Sequence, residues 1–220
     1  MPAAGINFAG QMRSSSSIRE APVTFALIAI SALVFLLFRE LGIVQFVPWF
    51  NFVPITGSPM GPQFGDVGQD WWRFITPTLL HFGWMHVVFN CLWIWEFGRR
   101  IEKRLGSLNL LGLYLVAGVA SNLTQFMVTG PSIFGGMSGV VYGFMGFIWG
   151  ANRVTPNWLE PLPPAIFGFM LVWLCLGMVG VLEMLGAGAI ANGAHVGGFL
   201  VGLATGALFG LLRRLGGARG

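Results

Sequence analysis

The sequence is poor in charged residues and in cysteine, and both shortages exclude classes of protein. Only 9% of its 220 residues are charged, whereas about a quarter are charged in a typical soluble domain. A soluble fold of this length could not hide its 55% of hydrophobic residues from water. The two cysteines, Cys91 and Cys175, lie in apolar stretches without a CxxC motif or a Cys/His cluster. We therefore expect neither a metal site nor redox chemistry.

What the chain does contain is typical of a protein embedded in a lipid bilayer. Its mean hydropathy is +0.74, and it has 33 glycines and 9 tryptophans. Small residues let membrane helices approach each other, and tryptophan favours the membrane interfaces. The net charge of +4 would suggest a nucleic-acid partner in a soluble protein. Here we interpret the basic residues as topology signals and lipid contacts, with no nucleic-acid partner.

Six apolar segments approach the length of about 20 residues that spans a bilayer. The sequence therefore predicts an all-α membrane protein, a six-transmembrane-helix bundle with a long outer loop after the first helix. We expect one domain over 22–214, between short cytoplasmic tails at 1–21 and 215–220. The predicted spans are 22–38, 79–97, 108–128, 137–151, 165–185 and 191–212.

Basic residues alternate between the two sides of this arrangement and predict its orientation. They cluster before the first span, between spans two and three, between four and five, and after six, and only Arg39 and Arg73 fall on the other side. Since cytoplasmic loops carry the excess of positive charge, we expect both termini to be cytoplasmic. The segment from about Arg39 to Pro77 is then an outer loop. Its aromatic stretches are expected at the membrane interface, and the composition of its middle predicts turns.

Ser138 is a polar residue at an unusual depth. The glycines Gly135 and Gly136 precede a helix-compatible run that ends near Arg153. Fifteen residues of helix rise about 22 Å, less than the roughly 30 Å of hydrocarbon, so Ser138 should lie below the outer surface. A helix that starts there exposes free N–H groups and requires a wet or protein-lined cavity. Packing of small residues, Gly139 included, is an equally simple explanation of this motif.

His195 begins the sixth span on the same side as Ser138. A stripe of glycines follows at four-residue spacing: Gly198, Gly202, Gly206 and Gly210. This stripe should let the sixth span approach Gly139 and Gly143 closely and bring His195 against Ser138. Tyr142 lies one turn after Ser138 and could pack on the imidazole. A serine needs an adjacent base to act as a nucleophile, and only Glu183 is near, so we expect a dyad without a carboxylate.

Three further polar residues, His81, His86 and Asn90, lie in the predicted second span. His86 and Asn90 are four residues apart, share a helix face and can donate hydrogen bonds toward a carbonyl oxygen. A structural polar pair that bonds neighbouring helices is the alternative. A metal site is not favoured, because no acidic partner completes a ligand set.

Together these residues resemble the rhomboid family of intramembrane serine proteases, in particular its bacterial six-span members. The resemblance extends from about Asp70 to Arg214, and the motifs are specific jointly rather than singly. They are Trp72-Arg73, His81 with His86 and Asn90, Glu102-Lys103-Arg104-Leu105-Gly106, Gly136-Met137-Ser138-Gly139 with Tyr142, and Ala194-His195 with Gly198 and Gly202.

The resemblance implies a catalytic dyad of Ser138 and His195. His86, Asn90 and the Ser138 N–H would form an oxyanion site, Tyr142 would stack on His195, and Glu102 would anchor hydrogen bonds at the inner ends. The substrates would be transmembrane segments of other proteins, cut near the outer face in a bacterial inner membrane. No cofactor is implied.

Two other functions remain open at this point. A non-catalytic rhomboid-like protein would bind membrane helices without cutting them, but such relatives lack a dyad residue and this chain has both. A small transporter would need polar residues along its inner half as well, where the spans are nearly apolar except for Glu96.

Overall fold

The computed structural model of the protein describes residues 18–58, 61–185 and 189–217. Residues 1–17 of the predicted first tail and 218–220 of the last lie outside this range. The described chain is mostly helical: α1 Pro22–Phe35, α2 Val47–Phe50, α3 Trp84–Trp93, α4 Arg99–Leu105, α5 Ser107–Thr129, α6 Ser138–Val154, α7 Pro164–Met178, α8 Val181–Met184 and α9 Asn192–Gly217. A two-stranded antiparallel hairpin, β1 Ile55–Ser58 and β2 Gly61–Phe64, pairs Ile55 with Phe64.

Three helical stretches among the described residues are long and apolar enough to cross a membrane. They are Pro22–Glu40, in which α1 continues as a π-helix, Ser107–Thr129 and Asn192–Gly216. The apolar helix α7 is shorter. The chain is thus a helical protein with the features of a membrane protein.

Several predicted boundaries were wrong. The predicted second span began at Leu79, but residues 76–79 form a 3₁₀ turn and the α-helix starts only at Trp84, after an extended Gly83. This helix continues through a π-helix, Ile94–Gly98, into α4, so that the predicted loop around Glu102 is helical. Gly98 keeps helical dihedral angles, φ −61° and ψ −46°, and the helix ends only at Gly106, which has a φ of +84°.

The predicted fifth span is also divided. α7 ends at Met178, and Gly180 adopts a left-handed conformation, φ +76°, before the short α8. A residue with a Cβ is disfavoured in this conformation, so Gly180 is the point where the chain can break the helix. The prediction of one continuous segment over 165–185 missed this glycine.

The segment between α1 and α3 contains more structure than its composition predicted. The hairpin lies where only turns were expected. Phe52 and Val53 are buried in a small cluster with Phe134, and the Phe52 ring lies 4.9 Å from that of Phe126. Arg73, 4% exposed, donates to the backbone oxygens of Pro48 and Asn51 and pairs with Asp70. These contacts attach the segment to the helices.

α6 lies at the centre of the bundle. Twelve of its 17 residues are buried, and it packs most extensively against α9, while α5 packs against both. A Cβ on Gly198 would meet the Gly139 carbonyl oxygen, and one on Gly202 would meet that of Gly143. The predicted approach of the two glycine-containing faces is therefore confirmed, with backbone packed directly on backbone.

This contact makes Gly202→Ala a destabilising substitution. The added methyl group would press on a backbone carbonyl of α6, which cannot rotate away as a flexible side chain can. We expect a loss of about 1–3 kcal/mol, measured as a lower thermal midpoint of unfolding in detergent. Gly112→Ala is the matched control, because a Cβ there meets nothing within 4 Å and alanine favours a helix by up to about 1 kcal/mol. Equal midpoints for the two variants would contradict the close packing.

Glu102 ties together the ends of three helices. Its carboxylate accepts hydrogen bonds from the backbone N–H groups of Val23 and Thr24 at 2.9 and 2.8 Å. It also accepts from the hydroxyls of Thr24 and Ser107, both at 2.7 Å. It thus caps the start of α1 from α4 and joins both to α5. Burial alone would raise the pKa of this carboxyl group, but these hydrogen bonds outweigh burial and lower the pKa below its ordinary value.

We expect Glu102→Gln to destabilise the protein by about 2–4 kcal/mol. The amide nitrogen would replace one carboxylate oxygen, and because it is a donor it cannot accept the hydrogen bonds that this oxygen accepts. The lowered pKa also predicts a pH dependence. The stabilisation is present above the ordinary pKa of glutamate and is lost as the pH falls through the lowered value. The thermal midpoint of the wild type should therefore fall in acid more than that of Glu102→Gln. Glu40→Gln, at an exposed carboxylate, should leave the wild-type pH profile unchanged, and identical acid profiles for all three proteins would refute the role of Glu102.

Candidate active site

Ser138 is the first residue of α6 and is reached through an unusual turn. Gly136 has a φ of +105°, and its N–H donates to the Pro77 carbonyl at 2.9 Å. A Cβ at Gly136 would meet the Nε2 atom of His86 and, at 3.2 Å, the Nδ2 atom of Asn90. A glycine is therefore required there for both conformation and space, and it leaves two nitrogen donors facing the turn that carries Ser138.

His195 and Ser138 are in direct contact. The Nε2 atom of His195 lies 2.8 Å from the Ser138 Oγ atom, a normal hydrogen-bond distance. The imidazole stacks on the Tyr142 ring with centroids 4.7 Å apart, and the Tyr142 hydroxyl donates to the Met170 carbonyl of α7. The structure thus brings together Ser138, His195 and Tyr142, as the glycine stripe and helix spacing predicted.

The other nitrogen of the imidazole, Nδ1 of His195, is buried and has no hydrogen-bond partner among the described residues. The carboxylate nearest in sequence, that of Glu183, accepts instead from the Ile190 N–H at 3.2 Å. Within the part of the chain that the structure describes, the pair therefore has no third, carboxylate member. The orientation of the ring depends on Ser138 and on Tyr142.

His86 and Asn90 lie on α3, and both approach Gly136, two residues before Ser138. The Phe82 N–H approaches the His86 Nδ1 atom at 3.5 Å. If Nδ1 accepts this bond, a neutral ring carries its proton on Nε2, which is the atom that faces Gly136. The Asn90 Nδ2 atom is buried and finds no acceptor among the described residues. Two donors are thus available for an oxygen atom beside Ser138.

His81 is placed differently from its prediction. It precedes α3 rather than lying within it, and it is 8% exposed. Its Nδ1 atom lies 3.2 Å from the Leu79 carbonyl, and its ring packs edge-on against His86 with centroids 5.0 Å apart. His81 therefore contacts His86 rather than the Ser138–His195 pair, which makes it a support for the donor group.

Two contacts that position the pair were not predicted from the sequence. The Ser31 hydroxyl of α1 donates to the sulfur of Met137, the residue before Ser138, at 3.1 Å. The side chain of Gln125 on α5 accepts from the Ala194 N–H at 3.1 Å and so fixes the residue before His195. Gln125 was visible as a polar residue in an apolar span, whereas a single serine in the first span carried no signal.

No group of three or more His, Cys, Asp and Glu residues that could hold a metal ion occurs among the described residues. What the site offers is a hydroxyl paired with an imidazole, a free helix N-terminus and two further donors. Such an arrangement can move a proton from a serine and stabilise a negative oxygen next to it.

The fold and the site together define a helical membrane protein in which Ser138, at the start of the central helix, contacts a buried histidine of α9. Comparison with known families places it more narrowly. The family model described as Rhomboid domain matches residues 68–212, more than half of the chain, and this protein belongs to the rhomboid family. The matched range contains Ser138, His195, Tyr142, His86 and Asn90 but not α1, whose Ser31 and Thr24 contact the matched part.

Proposed function

We propose that the protein is an intramembrane serine endopeptidase that cuts transmembrane segments of other membrane proteins. The observation that carries the proposal is the 2.8 Å contact between the His195 Nε2 and Ser138 Oγ atoms, at the start of a helix in an apolar bundle. A buried serine and histidine can form a structural hydrogen bond elsewhere. Here the buried Asn90 Nδ2 atom, which faces Gly136, has no acceptor among the described residues, and a purely structural pair does not need such a donor.

In the proposed reaction His195 takes the Ser138 proton on Nε2 as the serine oxygen attacks a peptide carbonyl. The imidazolium then gives this proton to the leaving amine, and an acyl-enzyme on Ser138 remains. Water repeats the sequence: His195 takes its proton, the hydroxide attacks the ester, and the proton returns to Ser138. Each step uses one hydroxyl and one imidazole and needs no cofactor.

The negative oxygen of each tetrahedral intermediate requires donors. The candidates are the Asn90 amide and the His86 Nε2 atom, which both face Gly136, and the N–H groups at the start of α6, which no side chain caps. We assign His86 and Asn90 to this oxyanion site. Gly136 provides space for the oxyanion. Gly139 allows the close contact between α6 and α9, and Tyr142 orients the His195 ring.

The proposal includes a topology of six spans within a domain of residues 22–214. Besides the three long apolar stretches, the spans would be α3 together with the π-helix Ile94–Gly98, α6, and α7. α6 has 17 residues and a length of about 26 Å, less than the roughly 30 Å of hydrocarbon, which agrees with a start below the outer surface. The distribution of basic residues favours cytoplasmic termini, and the resemblance to bacterial six-span rhomboids favours a bacterial inner membrane as the location.

The substrate must unwind locally, because a peptide bond inside a helix is shielded by its neighbours and hydrogen-bonded. Substrate segments with glycine or proline near the cut, and with small side chains beside it, should therefore react best. The partners of the protein are then transmembrane proteins and membrane lipids.

The test combines a probe that needs no substrate with a panel of single-span reporters. A fluorophosphonate, which reacts with activated serines, should label the protein in liposomes on the peptide that contains Ser138, as located by mass spectrometry. The reporters should be cut near the outer end of their membrane segment. If Ser138 were not labelled and no reporter were cut, the proposal would be overturned. A non-catalytic rhomboid that binds helices would then be favoured.

A further inference from the structure

A second candidate site lies at the opposite end of α6 from Ser138. It is a cavity of about 460 Å³ between the ends of α6 and α9, lined by Arg153, Val154, Thr155, Pro156 and Arg214. The Thr155 hydroxyl donates to the Gly210 carbonyl at 2.8 Å, so one wall is bonded directly to the other. We call this feature the arginine pocket.

The two arginines have no ion-pair partner among the described residues. Neither Arg153 nor Arg214 is within 4 Å of a carboxylate among the described residues, and both are exposed. Every acidic side chain at this end of the bundle is already engaged. Glu20 pairs with Lys103, Glu96 with Arg99 and Arg100, and Glu160 with Arg100, while Glu102 accepts its four hydrogen bonds. The positive charge of the pocket is thus left for an anion from outside.

An apolar groove is lined by the turn of α6 that precedes Arg153 and by the start of α7. It measures about 250 Å³ and is lined by Ile148, Trp149, Asn152, Pro161, Leu162, Pro164 and Phe167. The rings of Trp149 and Phe167 stack with centroids 5.8 Å apart. The Arg153 guanidinium lies over the Trp149 ring, 4.9 Å from its centroid, so that a single residue pair joins the groove to the pocket.

The order of these features along α6 matches the order of groups in a phospholipid. Arg153 is near the end of the helix, and Trp149 and Ile148 lie one turn closer to its middle. An anion at Arg153 and Arg214 would therefore lie at headgroup depth, with a chain running inward along the groove. A soluble anion would use the pocket but has no use for the groove.

We propose that the arginine pocket and the groove bind one anionic phospholipid, with its phosphate on Arg153 and Arg214 and an acyl chain along Trp149 and Phe167. Basic pockets between helices at the cytoplasmic face are suited to acidic headgroups, and each arginine contributes about a fivefold gain in affinity. This inference concerns a site remote from Ser138 and does not rest on the proposed proteolysis.

The experiment is native mass spectrometry of the purified protein in detergent, titrated with phosphatidylglycerol and with phosphatidylcholine. We expect tighter binding of the first phosphatidylglycerol, weakened about fivefold by Arg153→Gln or Arg214→Gln and about 25-fold by both together. Arg104→Gln is the matched control, since this arginine is exposed at the same end and lines neither the arginine pocket nor the groove. The proposal would be overturned if Arg104→Gln weakened phosphatidylglycerol binding as much as the pocket variants do. It would also be overturned if the double variant bound phosphatidylglycerol as tightly as the wild type.

Two further arms separate the sources of the anion and guard against a misfolded variant. Glycerol phosphate in large molar excess should fail to displace the lipid, because it lacks a chain for the groove; full displacement would refute the lipid as the ligand. The wild-type protein should also be crosslinked by phosphatidylglycerol with a diazirine in its acyl chain. Crosslinks within 148–167 are expected, and an even distribution over the helices would refute the groove.

Discussion

Replacing Ser138 or His195 with alanine should abolish cleavage of a reporter that the wild-type protein cuts. Without Ser138 there is no nucleophile, and without His195 no described residue is placed to take the serine proton, because the 2.8 Å contact joins these two residues alone. Because the serine and the histidine act in the same chemical step, removing either one should abolish the contribution of both. We therefore expect each substitution to lower kcat on the order of 10⁴-fold or more. The measurement is initial rate in liposomes, with products separated by mass.

The design of this experiment must separate lost chemistry from lost structure. The double variant should be no slower than either single variant, since the second substitution removes nothing that still works. Ser132→Ala is a matched control, because Ser132 lies in the same connection before α6 and its hydroxyl contacts only Thr129 and Gly130. Cleavage at the wild-type rate by the Ser138→Ala protein would show that the reaction occurs elsewhere.

Replacing Asn90 with alanine should have the next largest effect. Its buried Nδ2 atom has no acceptor among the described residues, and it faces the space beside Ser138 where the oxyanion would form. Loss of one oxyanion donor costs about 10²–10³ in kcat. Because this bond would be made only as charge develops, kcat and kcat/KM should fall together while KM changes little.

His86→Ala should show the same pattern. If both donors bind one oxygen, the increase in activation free energy in the double variant should be smaller than the sum of the increases in the two single variants. Leu92→Ala is the control on the same helix, at a side chain 53% exposed. A rise in KM with unchanged kcat for Asn90→Ala would place this residue in substrate binding. A lower thermal midpoint with unchanged kinetics would instead make Asn90 and His86 the structural pair that remained open from the sequence.

The serine–histidine contact could be predicted from the sequence because it depends on spacing along two helices. Glycines at regular intervals after His195 and at Gly139 and Gly143 allow only a close approach, and helical geometry then fixes which side chains meet. The same spacing placed Tyr142 under the imidazole. The roles of these residues in catalysis stay predictions, since a distance between two atoms is not an activity.

Other parts of the structure depend on contacts between segments far apart in the chain. The start of α3 at Trp84 rather than Leu79 follows from the 3₁₀ turn of residues 76–79, whose Pro77 carbonyl binds the Gly136 N–H. Phe52 and Val53, which precede the hairpin, are buried in a cluster with Phe134, about 80 residues away. Neither partner is visible in a local pattern, because tertiary contacts override the propensity of a short segment.

The unequal burial of the helices sets where the sequence can vary. α6 buries 12 residues and its glycines lie against the backbone of α9, whereas α7 buries only Met170 and Gly177. Almost any change in α6 must be accommodated by its neighbours, whereas α7 packs on the core along one side only and leaves positions such as Val172 and Met178 exposed. Over many generations the central helix should therefore change slowly and the exposed side of α7 faster. A label is best attached at those exposed positions.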